Sequence, residues 1–107
     1  MIFGLDLDGT YAADAVAFHK IVDVLLERGH ACVLVTNRCD DDRDVDAIRE
    51  LVHRKVPILY SCGKPKREVA RAAGYVVSIW IDDNPILVDL GEAGLKMVGV
   101  FRNGELI

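Results

Sequence analysis

Nothing in this sequence approaches the 18 or so consecutive apolar residues that a helix needs to cross a bilayer, so a membrane-embedded helical protein is excluded and no membrane partner is expected. No basic segment followed by an apolar stretch and a cleavage site opens the chain, and the expected location is the cytoplasm. Cysteine is scarce. Cys32, Cys39 and Cys62 form an odd set with neither Cys-x-x-Cys nor Cys/His zinc spacing, which argues against a structural zinc site and for a reducing compartment. Internal repeats, low-complexity tracts and linkers are missing as well, so a string of modules is not expected. An excess of positive charge is also absent: Lys and Arg number 13 against 17 Asp and Glu, a formal net charge of −4, whereas a general nucleic-acid binder needs the reverse.

What the chain does hold suits one globular domain over residues 1–107. Hydrophobic residues make up 51% and charged residues 28%, and the length leaves no room for a second domain. Any site must therefore lie on the core itself. Charge is unevenly spread, with five acids between Asp40 and Asp46 and seven bases between Arg49 and Arg71, a pattern that matches helix ends to their dipoles.

Short apolar runs alternate with helical periodicity. Residues 2–7 read as a first strand, and Phe18, Ile21, Val22, Leu25 and Leu26 then recur at the spacing of one helix face, with Asp14 as N-cap and Gly29 as the left-handed residue after the helix. Residues 31–35 read as a second strand and residues 42–55 as a second helix. Strand three covers residues 56–60, and Pro65 starts a helix that ends at Gly74. Strand four covers residues 76–81, Asn84-Pro85 opens a helix running to about Gly91, and residues 96–101 read as strand five. Asn103-Gly104 is a hairpin signal for a short antiparallel tail. Alternating strands and helices imply right-handed crossovers and a parallel sheet with helices on both faces, a three-layer Rossmann-like α/β fold. Ligands of such sheets bind beyond the carboxyl ends of the strands.

Polar groups gather at that edge. Strand one runs into Asp6-Leu7-Asp8-Gly9-Thr10, strand two into Thr36-Asn37-Arg38 and strand four into Asp82-Asp83-Asn84-Pro85, while Lys64 stands before the helix after strand three. Asp-x-Asp-Gly-Thr alone would arise by chance in a chain this long on the order of once in a thousand sequences. With a Thr, a Lys and an Asp-Asp pair following in order, the chain resembles the haloacid dehalogenase superfamily over nearly its whole length.

The resemblance implies a sheet of order 3-2-1-4-5 and a phosphate-ester hydrolase. Asp6 is then the nucleophile that forms an aspartyl-phosphate, and Asp8 is the acid that protonates the leaving oxygen and the base that activates water. Mg²⁺ is the implied cofactor, held by Asp6, by the backbone carbonyl of Asp8 and by Asp82, with Asp83 as a further ligand or an orienting residue. Thr36 and Lys64 stabilise the phosphoryl charge, and Gly9, Thr10, Asn37 and Arg38 are the expected substrate contacts. An Asp at position 8 separates this pattern from dehalogenases, which have no acid there, and from transport ATPases, which carry a Thr.

The ordinary structural readings stand beside these. A lone Asp at a strand end is usually a helix cap. Arg38 serves equally to contact substrate or to cap the acidic run after it. Lys66 and Arg67 read as solvated helix residues, and Trp80 as core rather than as a stacking platform. His19, His30 and His53 lie away from the edge and take no role. Cys39 and Cys62 lie near the site mouth, where oxidation could reach them.

Neither the segment after Asp8 nor that between Thr36 and Lys64 is long enough for the cap domain that most members of the superfamily carry. Such an open site suits a phosphorylated substrate large enough to close it, a nucleic-acid end among them, or a neighbouring subunit, and the positive mean hydropathy favours a homo-oligomer. A small phosphomonoester is equally arguable. The competing function is a catalytically weak or inactive metal- and phosphate-binding or regulatory module. A two-component receiver domain shares similar residue types but in the wrong order.

Overall fold

A computed structural model describes residues 1–39, 45–98, 101–102 and 105–106, with side chains described up to residue 94. Four parallel strands make the main sheet: β1 (Ile2–Leu5), β2 (Ala31–Thr36), β3 (Ile58–Tyr60) and β4 (Ile79–Ile81), in the order β3-β2-β1-β4. Ile2 faces Ala31 and Leu5 faces Leu34 across β1 and β2, Leu5 faces Ile81 on the other side, and Thr36 faces Tyr60. All four strands therefore end at the same edge.

β2 shows why the sheet is covered on both faces. Its side chains alternate, so Cys32 and Leu34 pack with Leu5, Leu7, Val22, Ile48 and Leu51, while Val33 and Val35 pack with Ala70 and Val77 on the opposite side. The first cluster is covered by α1 (Ala15–Glu27) and α2 (Asp46–His53), the second by α3 (Lys66–Ala72). Asp14 caps α1 by accepting from the Ala17 N–H at 3.1 Å, and Gly29 follows the helix at φ 83°, as its spacing predicts. Trp80 lies against the second cluster, half-buried, with the Arg67 guanidinium 5.8 Å above its ring. Gly4 lets that ring approach, since a Cβ there would sit 2.7 Å from it.

The carboxyl-terminal third departs from expectation. The fifth strand expected over residues 96–101 does not join the sheet, whose described order ends at β4. Instead α4 (Ile86–Asp89) is followed by α5 (Gly91–Val98), broken from it at Gly91 with φ 65°. β5 (Phe101–Arg102) then pairs antiparallel with β6 (Glu105–Leu106). A short apolar run such as Leu95-Lys96-Met97-Val98 fits a strand or a helix equally well, and helical hydrogen bonding claims it here. The two-residue strands agree with the hairpin expectation, although Asn103 and Gly104 lie outside the described residues. So do residues 40–44, where the second helix was expected to begin and most of the acidic run falls. That helix starts at Asp46, and Lys55 lies beyond its end at φ 61°. No helix among the described residues is long and apolar enough to cross a membrane.

Candidate functional site

The sheet edge positions the first motif by continued pairing. Beyond β1, the Asp6 N–H donates to the Ile81 carbonyl at 3.0 Å. The chain then coils tightly, with the Tyr11 N–H on the Asp6 carbonyl (3.1 Å) and the Ala12 N–H on that of Leu7 (2.9 Å), and this returns Thr10 to the Asp6 side chain. Gly9 permits the turn at φ 77°, and a Cβ there would collide with the Asp83 carboxylate.

Asp6 is 5% exposed, and both of its carboxylate oxygens are engaged. Lys66 Nζ donates to Oδ1 at 2.7 Å, and the Thr10 hydroxyl donates to Oδ2 at 3.0 Å. Lys66 also reaches Asp82 Oδ2 at 2.6 Å, while Asp82 Oδ1 accepts the Asn84 N–H at 2.9 Å. The Asp83 N–H donates to the Thr10 hydroxyl oxygen at 3.2 Å. Burial raises the Asp6 carboxyl to about 6, the hydrogen-bonded Asp83 carboxyl pushes the same way, and Lys66 works against both.

The cation of this cluster corrects the sequence expectation. Lys64, expected in the role, is exposed, whereas Lys66, expected to be solvated, is wholly buried and bridges two carboxylates. A signal for this was present. Lys66 stands four residues before Ala70 on α3, so it falls on the helix face that packs against the sheet, where an unpaired Lys is rarely tolerated.

The remaining expected residues form a rim. Asp8 is exposed and takes a two-pronged ion pair from Arg38, with Nε on one oxygen at 2.9 Å and the terminal nitrogen on the other at 2.7 Å. That guanidinium holds the Asp8 carboxyl below the usual carboxylate range. Thr36 is buried at the end of β2, and its hydroxyl oxygen accepts the Arg38 N–H at 3.2 Å. Asn37, expected on the substrate, spends its amide on the protein: its oxygen accepts the Gly63 N–H and its nitrogen donates to Glu92, each at 2.9 Å. It works as a strut from the segment after β2 to the segment after β3 and to α5.

Cys39 and Cys62 are joined in a disulfide with Cα atoms 4.6 Å apart across 23 positions of sequence. The odd count and unpaired spacing gave no sign of this bond, although both residues were placed near the site mouth, where oxidation could reach them. The cause is register. Thr36 faces Tyr60, so the residues just beyond both strand ends meet. Cys32 alone stays free, buried on one face of β2.

Asp6, Asp82 and Asp83 each offer a carboxylate oxygen, and the three atoms lie within 4.8 Å of one another. Ligands of an octahedral Mg²⁺ at about 2.1 Å lie roughly 3 to 4 Å apart, so three hard oxygen donors at this spacing fit that ion with small adjustments. Three carboxylates against one Lys also leave the cluster short of positive charge. The Asp8 side chain is not part of this group. Comparison of the chain with family models, with curated proteins and with solved structures finds no match.

Proposed function

We propose that this chain is a Mg²⁺-dependent phosphomonoester hydrolase that works through an aspartyl-phosphate on Asp6, as the haloacid dehalogenase motifs it resembles imply. The observation that carries the reading is the buried bridge from Lys66 to both Asp6 and Asp82. A structural ion pair needs one carboxylate. Here one ammonium holds two, a third lies beside them, and all sit where ligands of parallel sheets bind. Burying two carboxylates on one ammonium costs stability, and costly charge clusters of this kind gather at functional sites.

Asp6, Asp82 and Asp83 would hold the ion, whose charge offsets that of the phosphoryl group and lets a carboxylate approach it. Lys66 and Thr10 fix the plane of the Asp6 carboxylate. A carboxylate oxygen of Asp6 attacks phosphorus as the ester P–O bond breaks, and Asp8 gives its proton to the departing oxygen. Water then attacks phosphorus, Asp8 takes the water's proton, and Asp6 and inorganic phosphate are released. Arg38 must leave Asp8 for the first of these steps, because it favours the ionised form. Phosphoryl oxygens are the acceptors that draw it away, with the Thr36 hydroxyl donating beside it.

The test is phosphate release from an aryl phosphate by wild type and Asp6→Asn, each with Mg²⁺ and with chelator. Activity that needs both Asp6 and Mg²⁺ is the expected result. Equal activity in the variant overturns the reading, and absence of turnover alongside measurable phosphate binding favours the alternative, a binding or regulatory module.

A further inference from the structure

We propose that Cys39 and Cys62 form a reversible redox site, opened by a dithiol reductant, whose state sets the order of the two loops that carry Arg38 and lead into Lys66. The disulfide joins the segment after β2 to the segment after β3, at the rim of the acidic cluster. Arg38 is the residue immediately before Cys39, and Lys66 begins α3 four residues after Cys62. No other covalent tie links the two loops among the described residues.

Three features make the bond a site for exchange. Cys62 is an exposed residue, unlike Cys32, which is buried with its thiol pushed up by desolvation. Cys62 also sits at φ 47°, a left-handed conformation that a residue with a side chain keeps only when its surroundings impose it. Finally, the inner ties do not depend on sulfur: the Ser61 N–H and hydroxyl both donate to the Thr36 carbonyl, at 2.8 and 3.2 Å, and Asn37 holds Gly63. Reduction therefore releases the outer ends of both loops and leaves the sheet intact.

The chemistry is thiol–disulfide exchange. A thiolate of the dithiol attacks Cys62 Sγ, the Cys39–Cys62 bond breaks, and Cys39 leaves as a thiolate that takes up a proton. The second thiol of the reductant, as thiolate, then attacks its own sulfur in the mixed disulfide and expels Cys62, which is protonated in turn. The protein gains two electrons and two protons, and the reductant becomes a cyclic disulfide. Arg38 then loses the anchor on its carboxyl side, and its grip on Asp8 loosens.

The effect on turnover rests on the hydrolase reading, but the redox site itself does not. The experiment treats the whole chain with dithiothreitol, then follows native alkylation by mass and backbone hydrogen exchange by peptide, with phosphate release measured in parallel. We expect Cys39 and Cys62 to resist alkylation until reduced and Cys32 to resist throughout. Exchange should rise at residues 38, 39 and 62 and stay unchanged at Ser61, at Gly63 and in β1 and β2. Phosphate release should fall about tenfold, the scale of a modest loss of positioning, and recover on reoxidation. Cys39→Ser/Cys62→Ser should show the reduced pattern permanently and ignore the reductant. Alkylation of both cysteines without reductant overturns the proposal. So does unchanged exchange after reduction, or exchange that rises across the whole chain, which would make the bond a structural staple. The expected labelling and exchange without phosphate release in either state supports the redox site and counts against the hydrolase reading alone.

Discussion

The floor of the site and its rim are built on different physics. On the floor, Asp6, Asp82 and Lys66 are removed from water, and each charge is held by a short ion pair. On the rim, Asp8 and Arg38 meet with side chains 55% and 34% exposed, where an ion pair exchanges easily with water or ligand. Burial makes the floor rigid and intolerant, because a charge left unpaired there has no solvent to fall back on. Exposure makes the rim adjustable, because either partner can trade the other for water.

The largest expected effect comes from breaking the floor. Lys66→Met leaves two buried carboxylates without their cation and should cost about 3–5 kcal/mol, read by chemical denaturation in chelator. Lys64→Met, two residues away and exposed, should stay within about 0.5 kcal/mol. Equal effects of the two substitutions would erase the distinction between floor and rim.

A pH series sharpens the same contrast. Asp6 is raised to about 6 from an ordinary 3.8, so between those values the folded chain holds more protons than the unfolded one, and stability should fall as pH rises through the interval. The loss should be about 2 kcal/mol in chelator and smaller with Mg²⁺ present. Asp6→Asn should flatten the slope measured by thermal unfolding. A stability that rises over this range in chelator would contradict the account of the floor.

Gly9→Ala comes next. It places a side chain at φ 77° and against Asp83, and should cost about 1–2 kcal/mol. Mg²⁺ affinity measured by calorimetry should weaken with it, since Asp83 must shift. Smallest is Arg38→Ala, expected to change stability by no more than about 1 kcal/mol because the pair is exposed. Its effect should appear in the KM for a phosphate ester, and a large loss of stability instead would show that the rim is structural.

Much of this arrangement is legible in the sequence. The Asp6-x-Asp8 motif, Thr36 and the Asp82-Asp83 pair each end an apolar run, and strands of one parallel sheet end together, so periodicity placed them at one edge, while their adjacency rested on the strand order that the resemblance implies. The caps at Asp14 and Gly29 were equally local. Residues 96–101 misled because a short apolar run carries no period long enough to tell helix from strand. Lys66 was misread because the resemblance in motif spacing favoured Lys64, while its place on the buried face of α3 pointed the other way.

The sequence by itself determined the order of elements as far as α4, the caps at Asp14 and Gly29 and the edge at which the acidic groups gather, since these depend on neighbours a few residues apart. Only the tertiary structure decided which lysine enters the site, that Asn37 braces loops, and that Cys39 meets Cys62. Each of these depends on the register of β2 against β3 and on how α3 sits on the sheet, and such long-range alignments are set by packing of both faces at once.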